Sequence, residues 1–185
     1  MRTLRTTYSD QRARNAGFTL LELVVTMAVA AILTAISVPA FRTFLLNDRS
    51  MSQATSLLLS LNLARSEAIK QDLSGGVTVC PSSDAATCNG SANWAQGWIV
   101  LSSSATAPIG VVAPLAAGST LSVYPASTTQ VTFQSDGSAG TTETDFTLCD
   151  PRGAHFARYT QVTTTGRVAA PAVGQDALGN ALTCP

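Results

Sequence analysis

The chain is short of charge. Only 12% of its 185 residues are Asp, Glu, Lys or Arg, about half the usual share. Histidine occurs once, at His155, and no two of the four cysteines are spaced C-x-x-C. Zinc sites are built from several such ligands at short spacing, so no metal and no cofactor is expected. Nucleophile elbows and phosphate-binding glycine loops are also missing from the sequence. Little is left from which to build a catalytic site, and the chain reads as a non-enzyme with His155 an incidental strand residue.

A strong basic balance is missing too. Formal net charge is zero, but residues 1–17 hold Arg2, Arg5, Arg12 and Arg14 against Asp10. Without them the remainder carries seven basic and ten acidic side chains, a net charge of −3. That argues against overall attraction to nucleic acid and leaves only local patches to consider. One such patch stands out. Between Pro151 and Gln175 there is no acid, while Arg152, Arg158 and Arg167 are present with His155. Three arginines could make a few salt-sensitive phosphate contacts with DNA. The competing expectation is that they are solvated strand and turn residues, and this is favoured.

What the sequence has in plenty is one apolar run. From Phe18 to Ala40 only Thr19, Glu22, Thr26, Thr34 and Ser37 carry polar side chains. As a helix this run would span about 35 Å, enough to cross a bilayer. The arginines before it predict a cytoplasmic N-terminus. A secretory signal has a similar start, but this run is longer than a usual signal core and no A-x-A-like site with a clear stop follows. Helical spacing instead continues through Leu57, Leu58, Leu61, Ala64, Ala68 and Ile69, with Asn62, Arg65, Glu67 and Lys70 outside the stripe. Pro39 should kink the helix, and Gly75-Gly76 should stop it.

After Gly76 the texture turns to Ser, Thr, Gly, Ala and Pro, with short β-rich runs. Expected strands are Val77–Cys80, Gly97–Leu101, Leu121–Tyr124, Gln130–Gln134, Asp145–Cys149, Phe156–Thr163 and Arg167–Ala169. Turn signals lie at Ser135-Asp136-Gly137, Asp150-Pro151-Arg152-Gly153 and Thr165-Gly166. Residues from Ala170 onward read as a loop. One long helix followed by many strands indicates an α+β fold with antiparallel sheet or sandwich. The segments are 1–17, a basic leader; 18–40, a transmembrane helix; 41–74, its amphipathic continuation; and 76–185, a β-rich globular domain. Four cysteines in a small extracytoplasmic domain favour two disulfides. Three pairings are open. Cys80–Cys88 with Cys149–Cys184 is favoured, because the first pair closes a short local loop, and each bridge would stabilise by about 2–4 kcal/mol.

Residues 17–22 read Gly-Phe-Thr-Leu-Leu-Glu. Here the sequence resembles the type IV pilins and pseudopilins. The resemblance implies a leader ending at Gly17, cleavage before Phe18 by a prepilin peptidase, and methylation of the new Phe18 amine. It also implies that Glu22 neutralises the N-terminal amine of a neighbouring subunit, and that Pro39 is the helix-bending proline. Physical reasoning agrees. Glycine lets a protease approach the backbone closely, and a carboxylate in hydrocarbon is costly unless paired. The implied partners are the peptidase, other pilins or pseudopilins, and an inner-membrane assembly platform. The implied location is the inner membrane, single-pass, with a periplasmic domain.

A narrower resemblance follows. Trp94-Ala95-Gln96-Gly97-Trp98-Ile99-Val100 looks like the W-x-x-G-W-x-V strand of the GspH/FimT pseudopilins. The runs Phe146–Gly153 and Gly166-Arg167-Val168 resemble that family's C-terminal strands. By their chemistry alone, Trp94 and Trp98 are expected to be core residues. The family contains minor pseudopilins of type II secretion and minor pilins of type IV pili, some linked to DNA uptake through a G-R-x-R element. Here Gly166-Arg167-Val168-Ala169 lacks the second arginine, which weakens the DNA expectation. The four cysteines and Gly166-Arg167-Val168 tilt the reading toward the pilus branch.

Overall fold

In the computed structural model, residues 17–72 and 75–184 are described. The leader arginines and residues 73–74 of the expected helix end lie outside them. The chain divides into two compact units, one ending at Arg42 and the other beginning at Thr43. A single helix, α1 (Leu20–Gln71), begins in the first and ends in the second.

Local chemistry explains the helix. Thr19 opens it, its Oγ1 accepting the Glu22 N–H at 3.2 Å. This satisfies one of the free donors of the first turn. Leu, Ala, Val and Ile then dominate. Where hydroxyls interrupt the apolar run they donate back to the helix: Thr26 to Leu23 O, Thr34 to Ala30 O and Ser37 to Leu33 O. None of these three hydroxyls is thereby offered bare to an apolar medium. Pro39 lies inside the helix, which continues through it. The helix ends at Gln71, earlier than the glycines suggest, because Asp72 turns left-handed with φ 46°. Gly76 serves the next step. An added Cβ there would overlap the Phe133 carbonyl oxygen.

The second unit holds two four-stranded antiparallel sheets. One has the order β3-β2-β1-β5, built from β1 (Val77–Pro81), β2 (Trp98–Ser102), β3 (Gly110–Val112) and β5 (Val131–Phe133). The other has the order β4-β6-β7-β8, built from β4 (Thr120–Tyr124), β6 (Thr144–Cys149), β7 (Arg158–Val162) and β8 (Ala172–Val173). The fold is α+β, a long helix on antiparallel sheet, as the sequence pattern indicates.

The core joins α1 to inward residues of both sheets: Leu61, Ala64 and Ala68 with Val79, Trp98, Phe133, Phe146 and Val162. Trp94 and Trp98 are fully buried, and Trp94 meets Phe146 edge-on at 4.9 Å. A smaller cluster gathers Cys149, Ala157, Tyr159 and Leu182.

Several expectations are corrected. The buried helix stripe is Ser50, Ala54, Leu57, Ser60, Leu61, Ala64 and Ala68; Ile69 is exposed and Leu58 only half-buried. Alanine and serine sit inward because they let the helix approach the sheets closely. Phe156 and His155 lie in a 3-10 turn, Ala154–Phe156, not in a strand. Arg167–Ala169 supplies a single bridge, Val162 to Val168, rather than a strand. Strands β3 and β8 are additional: both are short edge strands without alternating apolar residues. The tail after Ala170 is more than loop, since it contributes β8 and buries Leu182.

Candidate functional site

The first unit is defined by what it leaves uncovered. Phe18, Leu20, Leu21, Val25, Ile32 and Ile36 are all exposed. Burying each such side chain would be worth about 1.5–3 kcal/mol, so this surface calls for lipid or protein around it. By length and composition α1 can cross a membrane. Gly17 and Phe18 precede the helix and are exposed, Phe18 by 84%. Glu22 sits in the first turn, where the positive end of the helix dipole favours an anion. Among the described residues, nothing hydrogen-bonds or ion-pairs with its carboxylate.

In the second unit, arginines fasten α1 to the sheets. Arg152 is held by Asp150 through a close ion pair. Its Nε also donates to both Asp150 oxygens, at 3.2 and 3.1 Å. From there Nη1 donates to Asn47 Oδ1 at 2.8 Å, and the guanidinium covers the Phe156 ring at 4.2 Å. Arg158 donates from Nε to Ser50 Oγ at 3.0 Å and from Nη2 to the Asn47 carbonyl at 3.4 Å. Burial pushes the Asp150 carboxyl up, but hydrogen bonds from Arg152 and the charges of Arg152 and Arg158 outweigh it and hold it below its ordinary value. Burial lowers the Arg158 pKa, and the Arg152 charge lowers it further.

A second fastening lies further along the helix. Arg65 donates to the carbonyls of Gly137 at 3.2 Å and Thr165 at 3.3 Å. Gly166 is required here: φ is 74°, and an added Cβ would overlap the Gly137 carbonyl. Between the two, Trp98 Nε1 donates to Ser60 Oγ at 3.0 Å.

The three arginines singled out from the sequence are therefore not one patch. Arg152 and Arg158 are engaged at Asn47 and Ser50. Arg167 follows Gly166 at the Arg65 end, about 27 Å along the helix axis from Asn47, and is exposed. Residues missed by sequence reading are Asn47, Ser50, Ser60, Arg65 and Asp150. Only the Asp150-Pro151-Arg152 spacing hinted at one of them. The cysteines are joined as Cys80–Cys88 and Cys149–Cys184; the second bridge ties the tail to β6.

Comparison with known proteins adds to this geometry. Residues 53–166 match the family model of type II transport protein GspH. Residues 12–38 match the prokaryotic N-terminal methylation motif. No curated protein matches the chain. Two crystal structures of the type IV minor pilin FimU from Pseudomonas aeruginosa strain PAO1 are similar in fold. The P21 form has a TM-score of 0.55 at 24% identity, over 69% of this chain and 91% of that one. The P65 form has a TM-score of 0.51 at 24% identity, over 64% and 89%. The chain is a pilin-like protein and belongs to the GspH family.

Proposed function

We propose that the chain is the precursor of a minor pilin that enters or primes a type IV pilus. One observation carries this: an uncovered apolar helix with a single carboxylate in its first turn, continuous with a helix fastened to a folded domain. Prepilin peptidase cuts between Gly17 and Phe18 and methylates the Phe18 amine. The leader arginines keep the N-terminus cytoplasmic, and the β-rich domain folds in the periplasm. Cutting there leaves the anchor attached, so the subunit waits in the inner membrane for the assembly platform. Glu22 then pairs with the amine of a neighbouring pilin, which removes the cost of a lone carboxylate in an apolar core. Pro39 lets the helix bend as it leaves the bilayer. The second reading is a pseudopilin of type II secretion, supported by the family match over residues 53–166.

DNA binding is the weaker part. Arg152 and Arg158 donate to groups of the chain itself, so of these three arginines Arg167 alone is left to meet a phosphate. Such binding would be slight and would vanish at moderate salt.

The test is expression with and without a prepilin peptidase, followed by N-terminal sequencing. The mature chain should begin at a methylated Phe18. A processed N-terminus elsewhere refutes the reading.

A further inference from the structure

The loop after β1 holds a relay of side chains. Asn89 Oδ1 accepts the Ser91 N–H at 3.0 Å, Ser91 Oγ accepts the Asn93 N–H at 3.0 Å, and Asn93 Oδ1 accepts the Ala95 N–H at 3.2 Å. Each link reaches two residues ahead. The last opens the 3-10 turn Trp94–Gln96, whose Trp94 is buried. The start of the relay is tied down as well. The Asn89 N–H donates to the Pro81 carbonyl at 3.2 Å, and the preceding Cys88 is bridged to Cys80. Asn89 and Gly90 themselves are exposed.

Several features meet at Asn89. The next residue is Gly90, which has no Cβ to shield its backbone nitrogen. Among the described residues nothing accepts from the Gly90 N–H, and the Asn89 Nδ2 has no partner either. A nucleophile and a leaving group are therefore both free. Only the side-chain oxygen is held, by the Ser91 N–H. That hydrogen bond closes a small ring containing both Asn89 Cγ and the Gly90 nitrogen, which keeps the two atoms close. It also places a donor where negative charge develops if the nitrogen attacks Cγ. Two other asparagines lack this combination. Asn93 has the same bond but is followed by the buried Trp94. Asn180 is followed by Ala181, and its amide is held by Asp176.

We propose that Asn89 is a self-modification site, which cyclises onto Gly90 and converts to isoaspartate and aspartate. Water is the only co-reactant. The Gly90 N–H gives its proton to solvent, and its nitrogen bonds to Asn89 Cγ. The Cγ–Nδ2 bond breaks, and Nδ2 takes up a proton and leaves as ammonia. A succinimide ring remains, and water opens it. Cleavage of the new Cγ–N bond yields aspartate. Cleavage at the main-chain carbonyl yields isoaspartate, with the chain rerouted through the side-chain carbons. Nothing is oxidised or reduced; water enters and ammonia leaves. Either product adds a negative charge to residues 71–151, which contain no Lys or Arg. Isoaspartate also lengthens the main chain at this point, which shifts the acceptor of Ser91 and breaks the relay that leads to Trp94.

The test uses the full chain, purified in detergent and incubated at mildly alkaline pH. Trypsin has no site between 71 and 151, so chymotrypsin is used to release the peptide ending at Trp94. Mass spectrometry with electron-transfer fragmentation then separates asparagine, aspartate and isoaspartate at Asn89, Asn93 and Asn180. Asn89 should convert many-fold faster than the other two, with isoaspartate the larger product. The rate should rise with pH, because the attacking nitrogen must lose its proton. Gly90→Ala should slow conversion several-fold; an added Cβ there meets no atom within 4 Å, although φ is 69°. A comparison without any substitution guards against misfolding of that variant. The folded chain should convert at least as fast as the chain unfolded in urea and reductant, because the loop holds the ring ready. Slower conversion in the folded chain overturns the proposal. So does aspartate without isoaspartate, or equal conversion at Asn93 or Asn180.

Discussion

Asp150 is the residue on which the clasp at Asn47 and Ser50 turns. Replacing it with asparagine keeps the shape and removes the charge. The ion pair with Arg152 is largely shielded, with side-chain exposures of 14% for Arg152 and 4% for Asp150. Arg152 would keep Asn47 and Phe156 but lose its charged partner. Hydrogen bonds to charged groups are worth about 1.5–3 kcal/mol each, and breaking a fully buried pair costs about 3–5 kcal/mol. Because this pair is not fully buried, about 2 kcal/mol is expected for Asp150→Asn. For a domain of this size that is a fall in Tm of roughly 6 °C. Trp94 and Trp98, both buried, report unfolding by fluorescence of the intact chain in detergent. The sign with pH follows from Asp150 lying below its ordinary value when folded. Its contribution is complete above the unfolded value of about 3.9 and is lost as pH falls through the folded one. Wild type and Asp150→Asn should thus differ near neutrality and converge in strong acid. Asp84, Asp136 and Asp176 are also held low by hydrogen bonds, but they act in both proteins and cancel. A gap of the same size at both extremes would refute the charge argument.

Three further outcomes are expected. Loss of the Cys149–Cys184 bridge, whose residues are 35 apart, should destabilise by about 4 kcal/mol, against about 2.5 kcal/mol for Cys80–Cys88, 8 apart; urea midpoints of the serine variants rank them. Glu22→Ala should leave membrane insertion intact and remove the chain from sheared filaments on immunoblot; normal incorporation would count against a pairing role. In a gel shift, Arg167→Ala should abolish whatever DNA retention the wild type has, while Arg158→Ala should lower Tm instead; the reverse pattern would show that Arg158 is not occupied by α1.

Much of the fold was legible because it is written locally. The Phe18–Ala40 run and the helical spacing after it predict one long helix, since hydropathy and backbone hydrogen bonding act within a few residues. Six of the expected strands overlap observed ones for the same reason. The arginines were not legible. A count of acids between Pro151 and Gln175 stops one residue short of Asp150. It also cannot see Asn47, 105 residues away from Arg152. Whether an arginine is free depends on such distant partners.

By itself, the sequence determined the apolar run from Phe18 to Ala40, the helix it forms, and the one acidic residue within it, Glu22. Each is a matter of residue type and spacing along one helix. Only the tertiary structure decided which helix face is buried, which arginines are occupied, and that short, weakly patterned segments such as Gly110–Val112 and Ala172–Val173 become edge strands. Those outcomes come from packing and long-range hydrogen bonds, whose partners are adjacent in space and far apart in the chain.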